Sequence, residues 1–312
     1  AYTFGNYKIA AIEDAQVISA QQLLPALPEA AGNQLSVATF NVENMFDAQT
    51  PHPDSPPRPS EEEYQRDLQR TAEAIVAMGA PTILALQEVE NIEVLQHLAV
   101  QPQLADYNYK PVLLEGNDSR GIDVGYLIRG DRATINEFAI HDAPGELFSR
   151  PPLGVTVTIH LDSGDQQVML LNNHFLSLSA GEVQTEQVRN NQAAWNASIV
   201  QDLQSSNQDA EIIVLGDLNS FYKTKPIETL QDAGLRHAYE FTKDGNLPYT
   251  YIYEGYAQTL DHILMSDALF QKLSSLDVLH INADYPIAHP DDNSARRVSD
   301  HDPLVAVFTF DE

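Results

Sequence analysis

The stretch Val214-Leu215-Gly216-Asp217-Leu218-Asn219 determines how the rest of the chain is interpreted. Its apolar residues continue a run that begins at Ile212, and such a run predicts a β-strand. The strand ends in a carboxylic acid and an amide. Core packing does not explain that ending, because a buried carboxylate needs a partner or a metal ion. Gly216 permits close backbone approach just before the acid. The stretch therefore predicts a strand whose end lies in a functional site.

Five other segments share this design, in which an apolar strand is joined to acid, amide or histidine side chains. They are Phe40-Asn41-Val42-Glu43-Asn44, Leu86-Gln87-Glu88-Val89-Glu90, Leu171-Asn172-Asn173-His174, Thr259-Leu260-Asp261-His262 and Ser299-Asp300-His301-Asp302-Pro303. Because each polar ending needs partners that its own strand does not supply, we expect the six endings to converge on one site.

Around these motifs, short apolar runs alternate with amphipathic stretches. Strands are predicted over residues 35–40, 82–86, 124–128, 155–159, 167–171, 212–215, 262–264 and 304–308. Ser60 and Glu63 form a capping-box pattern that opens a helix running to about Met78. A second helix is predicted over 181–204, and a shorter one after Pro226. The alternation predicts an α/β sandwich of two sheets flanked by helices.

The chain divides into a leader and one domain. Residues 1–34 are weakly patterned and are expected to pack on the domain, which spans 35–312. Residues 49–59 hold five prolines and little apolar content, which is typical of a surface loop. No apolar run approaches the roughly 18 residues that a membrane span needs, so no span is predicted.

Composition limits the chemistry. The chain has no cysteine, which excludes disulfides, zinc–thiolate sites and thiol nucleophiles. Its net charge of -28 repels phosphate, whereas a surface that binds nucleic acid is usually basic. Such acidity fits a solubility device, a site that depends on divalent cations, or adaptation to salt. The basic residues that fall near the motifs suggest, as a group, a small positive mouth, and they are Arg120, Lys223, Lys225, Arg296 and Arg297. For any one of them, chance placement on a solvated loop is the alternative.

In this order and at this spacing, the six motifs resemble those of the endonuclease/exonuclease/phosphatase family over about residues 35–310. The resemblance implies the deoxyribonuclease-I-like fold, a four-layer sandwich of two mixed β-sheets flanked by helices. The segments FNVENMFD, LQEVEN, LDHILMS and SDHDPL resemble the bacterial extracellular nuclease branch in particular. The leader segment FGNYKI resembles the region just upstream of that branch's catalytic domain. An extracellular or periplasmic location is therefore expected.

The resemblance implies a metal site. Glu88 is the principal expected ligand, since a hard divalent cation prefers carboxylate oxygen. Asn41 and Asp300 are expected to complete or orient the ligand shell, and Glu43 lies close enough in sequence to help. The expected ion is Mg²⁺, with Mn²⁺ or Ca²⁺ as alternatives. Without the resemblance, Glu88 could also be a surface acid at the start of a helix.

Catalytic roles follow from the same resemblance. Asp217 is expected to act as general base or to hold the attacking water, and Asn219 to donate to a non-bridging phosphate oxygen. His301 is expected to contact the scissile phosphate, with Asp261 fixing its tautomer. His174 is expected to bind the phosphate and to protonate or stabilise the leaving oxygen. A simple Asx turn is the alternative for the Asp217–Asn219 pair.

Two further residues complete the expected site. Arg120 resembles the family arginine that reaches the substrate phosphate, where a planar guanidinium suits bidentate contact. His262 follows Asp261 and so points to the opposite face of its strand, which indicates a structural residue.

These roles predict a metal-dependent phosphodiesterase, with a secreted non-specific nuclease acting on DNA, and also RNA, as the first choice. One alternative is a phosphatase or phospholipase on the same fold, acting on inositol phosphates or sphingomyelin. Another is a non-catalytic binding module that has kept the fold. A monomer is expected.

Overall fold

A computed structural model of the chain describes residues 2–3, 6–7, 24–49, 58–242, 248–289 and 291–310. The strands in these ranges are β1 (Tyr2–Thr3), β2 (Asn6–Tyr7), β3 (Gln34–Met45), β4 (Ile83–Val89), β5 (Tyr109–Leu113), β6 (Asp123–Arg129), β7 (Ala133–Ile140), β8 (Leu153–Leu161), β9 (Gly164–His174), β10 (Glu211–Asp217), β11 (Leu235–His237), β12 (Tyr251–Tyr253), β13 (Tyr256–Gln258), β14 (Asp261–Ser266), β15 (Leu273–Val278) and β16 (Leu304–Thr309). The α-helices are α1 (Glu61–Ala77), α2 (Ile92–Ala99), α3 (Glu182–Ser206), α4 (Lys225–Asp232) and α5 (Asp267–Phe270).

Two six-stranded mixed sheets form the centre of the molecule. The β10 sheet has the strand order β11-β14-β10-β9-β8-β7, and the β3 sheet has the order β15-β16-β3-β4-β6-β5. Each sheet contains one parallel pair, β9 with β10 and β3 with β4, and all its other pairs are antiparallel. The two sheets therefore repeat one local pattern of strand directions.

This pattern explains why six separate motifs can meet. The parallel strands of each pair end at the same edge of their sheet. The antiparallel neighbours β14 and β16 begin at that edge, because they run in the opposite direction. Four motifs lie at the ends of β3, β4, β9 and β10, and the other two lie at the starts of β14 and β16. All six therefore lie at one end of the sandwich.

Apolar residues divide the structure into layers. One buried cluster lies between the sheets and includes Leu35, Tyr126, Val157, Leu215 and Ile263. A second cluster packs α1 and α2 on the outer face of the β3 sheet. A third packs α3 and α4 on the outer face of the β10 sheet. The predicted four-layer sandwich of two mixed sheets flanked by helices is confirmed.

The helix ends follow local sequence signals. Ser60 caps α1 and exchanges hydrogen bonds with Glu63, as the capping box predicts. Helix α4 begins at Lys225, so the prediction that it starts after Pro226 was wrong. Proline is favoured in the first turn, where its missing N–H has no intrahelical partner to lose. Helix α2, which has eight residues, was not predicted.

Part of the leader packs on the sandwich. Leu24 and Leu27 contact the cluster beneath α1, and the Leu27 amide donates to the Ala77 carbonyl at 2.8 Å. Residues 8–23 and most of the proline-rich loop, residues 50–57, lie outside the described residues. The boundary at residue 34 stays a prediction. No helix within the described ranges has the length and apolar character that crossing a membrane requires.

A buried amide network joins the two sheets below the edge where the motifs meet. The Asn172 side chain in β9 donates to the carbonyls of Leu86 (2.9 Å) and Gly125 (2.8 Å) in the β3 sheet. Its own oxygen accepts from the Gln87 amide at 2.7 Å. The Gln87 side chain is also bonded to Thr39. These contacts fix the offset between the sheets.

Asn172→Ala should lower the free energy of unfolding by about 3 kcal/mol or more, since each buried polar group left without a partner costs about 1–3 kcal/mol. Urea denaturation measures the change. The matched control is Asn136→Ala, which removes an exposed amide from β7 and should cost no more than about 0.5 kcal/mol. Equal effects of the two substitutions would contradict the role given to Asn172.

Candidate active site

The motifs meet at a cleft of about 840 Å³ at one end of the sandwich. Nine of the ten predicted site residues line this cleft. They are Asn41, Glu43, Glu88, Arg120, His174, Asp217, Asn219, Asp300 and His301. The tenth, Asp261, is buried and bonded to His301. The lining is rich in charged and amide groups, which suits a polar ligand.

Asp217 occupies the centre of the hydrogen-bond network. Its Oδ2 accepts from the Asn41 amide at 3.1 Å, and its Oδ1 accepts from the Asn219 backbone N–H at 2.9 Å. The second contact is the Asx turn that GDxN sequences favour, so the turn and the position in the cleft coexist. Burial raises the pKa of Asp217 to about 7, and the Asp261 charge adds to the rise while His301 opposes it.

His301 is held by a carboxylate. Its Nδ1 lies 2.8 Å from Asp261 Oδ2, and its Nε2 lies 3.9 Å from Asp217 Oδ2. Burial alone would lower the pKa of His301, but the charge of Asp261 and the hydrogen bond to it raise that pKa well above its ordinary value. The Ser299 hydroxyl accepts from the backbone N–H of His301 at 3.0 Å and donates to the backbone carbonyl of Asn41 at 2.6 Å. A cationic ring therefore faces the cleft at a fixed position.

His174 has the opposite electrostatic character. Burial, together with the positive charges of Arg150, Arg120 and His301, lowers its pKa well below its ordinary value. Its Nε2 lies 3.5 Å from Asp217 Oδ2. A neutral imidazole of this kind donates or accepts a hydrogen bond but is a poor proton donor at neutral pH. The lowered pKa therefore favours a His174 that stabilises the leaving oxygen by a hydrogen bond over one that protonates it.

Acidic side chains gather on the wall formed by the β3 sheet. Glu88 Oε2 accepts from the Asn44 N–H at 2.9 Å, and Glu88 Oε1 lies 3.8 Å from both Arg120 and His174. Glu43 keeps an exposed surface, but partial desolvation by its neighbours raises its pKa to about 7. The carboxylates of Asp300 and Glu88 add to the rise, and the Arg297 charge opposes it. The three acids therefore share one region of negative potential.

Glu88 reaches the cleft by an unexpected route. Gln87 faces the other sheet, so a regular strand would point Glu88 toward the helices. The ladder between β4 and β6 shifts register between Gln87 and Val89, and Glu88 has a left-handed φ of 66°. This bulge turns the side chain into the cleft. The alternation of β4 alone would therefore not have brought Glu88 to the cleft.

Two arginines belong to one network, although only Arg120 was predicted. Arg120 Nη1 donates to the Asn44 amide oxygen at 3.2 Å. Asp118 accepts from the Arg120 backbone N–H at 2.9 Å and also forms an ion pair with the buried Arg150. Arg150 lines the cleft, but it follows no motif strand and lies 30 residues from Arg120 in sequence, so no local pattern indicates it.

The expected positive mouth is not what the structure shows. Of the five basic residues considered, Arg120 lines the cleft, whereas the other four do not. Lys223 lies over the Tyr222 ring, and Lys225 is 3.8 Å from Asp232. Arg296 covers the Tyr285 ring. Arg297 donates to the Ser299 carbonyl at 2.7 Å, so its guanidinium supports a motif instead of facing the cleft. Arg297 nevertheless lies near enough to the cleft to lower the pKa of Glu43.

A pair of buried histidines supports the loop after Asp217. Of the two, His237 was not singled out from the sequence. His262 lies on the face opposite Asp261, as expected, and its Nε2 donates to the Ser220 carbonyl at 2.7 Å. His237 Nε2 lies 2.9 Å from His262 Nδ1, and His237 Nδ1 accepts from the Tyr239 N–H. Burial lowers the pKa of both rings, that of His262 to about 4. Two neutral rings thus position the residue that follows Asn219.

The donor set fits a hard divalent cation. Glu43, Glu88, Asp300 and the Asn41 amide offer oxygen ligands around one part of the cleft, and the raised pKa of Glu43 marks negative charge that a cation would neutralise. Ligand atoms of Asp217, Asp261 and His301 lie within 4.8 Å of one another, whereas Glu43, Glu88 and Asp300 do not form so close a group. Metal binding by that group would require a neutral histidine, however, and Asp261 favours the cationic ring. We therefore favour the carboxylate wall.

Comparison with known proteins places these observations in context. A family model described as the Endonuclease/Exonuclease/phosphatase family matches residues 36–285. Among solved structures, D. rerio TDP2 complexed with single strand DNA product is 20% identical, with a TM-score of 0.61 and coverage of 89% of this chain and 99% of that chain. No curated protein matches the sequence.

Two other solved structures are similar. The human Nocturnin catalytic domain with bound sulfate anion is 18% identical, with a TM-score of 0.60 and coverage of 93% of this chain and 98% of that one. An endonuclease/exonuclease/phosphatase family protein from Bacteroides thetaiotaomicron is 17% identical, with a TM-score of 0.63 and coverage of 89% and 98%. At these identities the structures share the fold.

Gly216→Ala should lower the free energy of unfolding by about 3 kcal/mol or more, because clashes with backbone are among the largest single-residue effects. A Cβ at residue 216 would lie 1.9 Å from the Asn173 carbonyl oxygen, and the residue has φ of +131°. Gly164→Ala is the control. It has φ of +119° with no described atom within 4 Å of a Cβ, so only backbone strain, about 1–2 kcal/mol, is added. Similar urea midpoints for the two variants would refute the close approach.

Proposed function

Because this chain belongs to the endonuclease/exonuclease/phosphatase family, we propose that it is a secreted, metal-dependent nuclease that hydrolyses phosphodiester bonds in DNA, and in RNA as a second substrate. The fold and the family support a phosphoester-hydrolysing enzyme. One observation carries the narrower proposal. A buried carboxylate, Asp217, lies between a cationic His301 and a neutral His174, opposite a wall of oxygen ligands.

Asp217 is positioned to accept a proton from water or to orient it. Two donors, the Asn41 amide and the Asn219 N–H, hold its carboxylate oxygens in place. A general base must be fixed within hydrogen-bond reach of the proton that it receives. Asp217 lines the cleft, so a water between it and a bound phosphate would lie within reach of its carboxylate.

His301, His174 and Arg120 bind the phosphate group in this proposal. The charged His301 ring and the Arg120 guanidinium stabilise the negative charge that grows on the phosphate oxygens. His174 and the Asn219 amide donate neutral hydrogen bonds. The Asn219 Nδ2 already donates to the Phe175 carbonyl at 3.2 Å, which fixes its orientation and leaves its second N–H for substrate.

Glu88, Glu43, Asp300 and Asn41 would hold the divalent cation. When bound, such an ion supplies Lewis acidity and neutralises charge beside the scissile phosphate. Mg²⁺ is the proposed ion because the donors are oxygens only, and Mn²⁺ accepts the same ligands. The protein's net charge of -28 makes a cation especially useful for attracting a polyanion.

DNA is the proposed substrate because a D. rerio protein of the same fold was solved with a single strand DNA product. An extracellular or periplasmic location and a monomeric state remain part of the proposal. A non-catalytic module is disfavoured, since all six motifs keep their polar endings. The phosphatase or phospholipase alternative calls for hydrolysis of inositol phosphates or sphingomyelin, which assays on those substrates beside plasmid DNA distinguish.

Chelation by EDTA should abolish hydrolysis of plasmid DNA, and Mg²⁺ or Mn²⁺ should restore it, because the acidic cleft cannot attract phosphate unaided. Glu88→Gln should raise the Mg²⁺ concentration needed for half-maximal activity at least about tenfold, since one charged ligand is lost. The exposed Glu93→Gln on α2 is the control and should match the wild type. Full turnover in a chelated, metal-free sample would rule out the metal assignment.

Asp261→Asn should reduce kcat by about 10²–10⁴-fold with a smaller change in KM, the range expected when general acid–base help is lost. The amide cannot hold the charged His301 ring in its present orientation. Steady-state kinetics on DNA measures the effect, and the exposed Asp232→Asn provides a control. Activity within about threefold of wild type would show that Asp261 does not act through His301.

A further inference from the structure

A short tyrosine-bearing hairpin stands at the mouth of the cleft. Strands β12 and β13 pair antiparallel, with Tyr251 opposite Gln258 and Tyr253 opposite Tyr256. The turn between them is Glu254-Gly255, and both residues have left-handed φ values, 49° and 83°. This is the backbone of a type I′ turn, which matches the twist of a tight hairpin.

Three tyrosine rings share one face of the hairpin. Residues two apart on a strand point to the same side, and so do directly opposed residues of paired strands. Tyr251, Tyr253 and Gln258 line the cleft, so their face is the one turned toward it. Tyr256, opposite Tyr253, extends that face outward. Tyr253 is 55% exposed and Tyr256 is 72% exposed, whereas Tyr251 is partly buried.

The base of the hairpin is fixed to the catalytic residues. The Tyr251 ring packs on the His301 ring, with centroids 4.7 Å apart, and the two residues also form a backbone bridge. The Asp302 N–H donates to the Thr250 carbonyl at 2.7 Å. On the other side, Tyr249 stacks on His280 at 4.4 Å. The outer rings therefore lie on a platform whose position relative to His301 is set.

We propose that Tyr253 and Tyr256 form a stacking platform for the nucleobases next to the scissile phosphate, which makes single-stranded nucleic acid the preferred substrate. The inference rests on the proposed nuclease function and narrows it. Aromatic rings beside a strand-binding site bind bases of any sequence, because every base has a π-face. In a duplex the same faces are covered by neighbouring bases, so a duplex cannot use the platform.

The chemistry of the hairpin favours neutral bases over other ligands. Residues 248–260, PYTYIYEGYAQTL, contain no lysine or arginine, so this surface does not attract phosphates. A membrane-inserting hairpin would carry apolar residues at its tip, whereas this tip is Glu254-Gly255. Exposed aromatic rings are also scarce elsewhere. Besides Tyr253 and Tyr256, Phe138 is the only exposed phenylalanine, tyrosine or tryptophan among the residues whose side chains the structure describes.

The platform also answers a problem of affinity. A protein with charge -28 gains little from counterion release, and only Arg120 of the expected basic residues reaches the cleft. Stacking on bases does not depend on net charge. Binding a strand through its bases therefore lets an acidic protein hold a polyanion close to a metal-dependent site.

The test compares two strands on the wild type and three variants. One substrate is a 12-nucleotide single strand of thymidines, and the other has abasic residues on both sides of the cleaved bond. The Tyr253→Ala/Tyr256→Ala double variant should raise KM on the thymidine strand about 5- to 150-fold for each stacked base, with kcat changed much less. On the abasic strand the variant and wild type should have the same KM. The Tyr253→Phe/Tyr256→Phe variant keeps both rings and should behave as wild type, and so should Phe138→Ala on β7.

Several results would overturn the platform. Equal wild-type kcat/KM on the two strands would do so, and so would an unchanged KM in the alanine double variant while DNA cleavage persists. The second result leaves the nuclease function standing.

Failure of the wild type to cleave any strand would remove the nuclease function instead. The platform is then judged by anisotropy binding of the thymidine strand in EDTA, where loss of affinity in the alanine variant supports it and equal affinity refutes it. Tyrosine-dependent flotation with phosphatidylcholine–sphingomyelin vesicles, without tyrosine-dependent strand binding, would assign the hairpin to membranes.

Discussion

Amide hydrogen bonds that cross between the two sheets determine where the other site residues lie. Asn172 joins β9 to β4 and β6, and Asn41 joins β3 to Asp217 at the end of β10. Apolar contact between two sheet faces is not directional, so it holds the sheets together without fixing their offset. Amide bonds are directional, and in a dry interior they are costly to leave unmade. The network therefore sets one defined offset between the two sheets. A cleft shared by both sheets requires that offset.

Strand direction then brings the motifs to one place. In each sheet a parallel pair ends, and an antiparallel neighbour begins, at the same edge. The residues in the last or first inward position face the other sheet at that edge. Asn41, Asp217, Asp261 and His174 each follow the alternation of their strand, two residues beyond a side chain that faces the opposite sheet. Glu88 is the exception, and a bulge brings it to the same cleft.

This alternation explains how much could be predicted from the sequence. Long apolar strands ending in polar residues are visible as patterns, so the layers, the motifs and the opposite orientations of Asp261 and His262 could be inferred. The bulge at Glu88 has no such pattern, since backbone φ depends on the neighbouring strands. Arg150 and His237 act through partners far away in sequence. Strands β12 and β13 have three residues each, too few for a periodic pattern. The position of their tyrosines beside the cleft follows from the contact between Tyr251 and His301, which the sequence does not indicate.

The residues of the site lower the stability of the fold. Glu43, Asn44, Glu88 and Asn219 all have left-handed backbone, which costs on the order of 1 kcal/mol for each residue outside glycine. The pKa of Glu43 is raised mainly by desolvation, and the nearby carboxylates of Asp300 and Glu88 add repulsion. Neither cost improves packing, because regular strands with apolar ends would bury more surface. A fold of marginal stability tolerates such losses where the surrounding core is large enough to offset them. Here three apolar clusters pack between the sheets and on their outer faces, and at the strained, acidic edge side chains from both sheets line a single cleft.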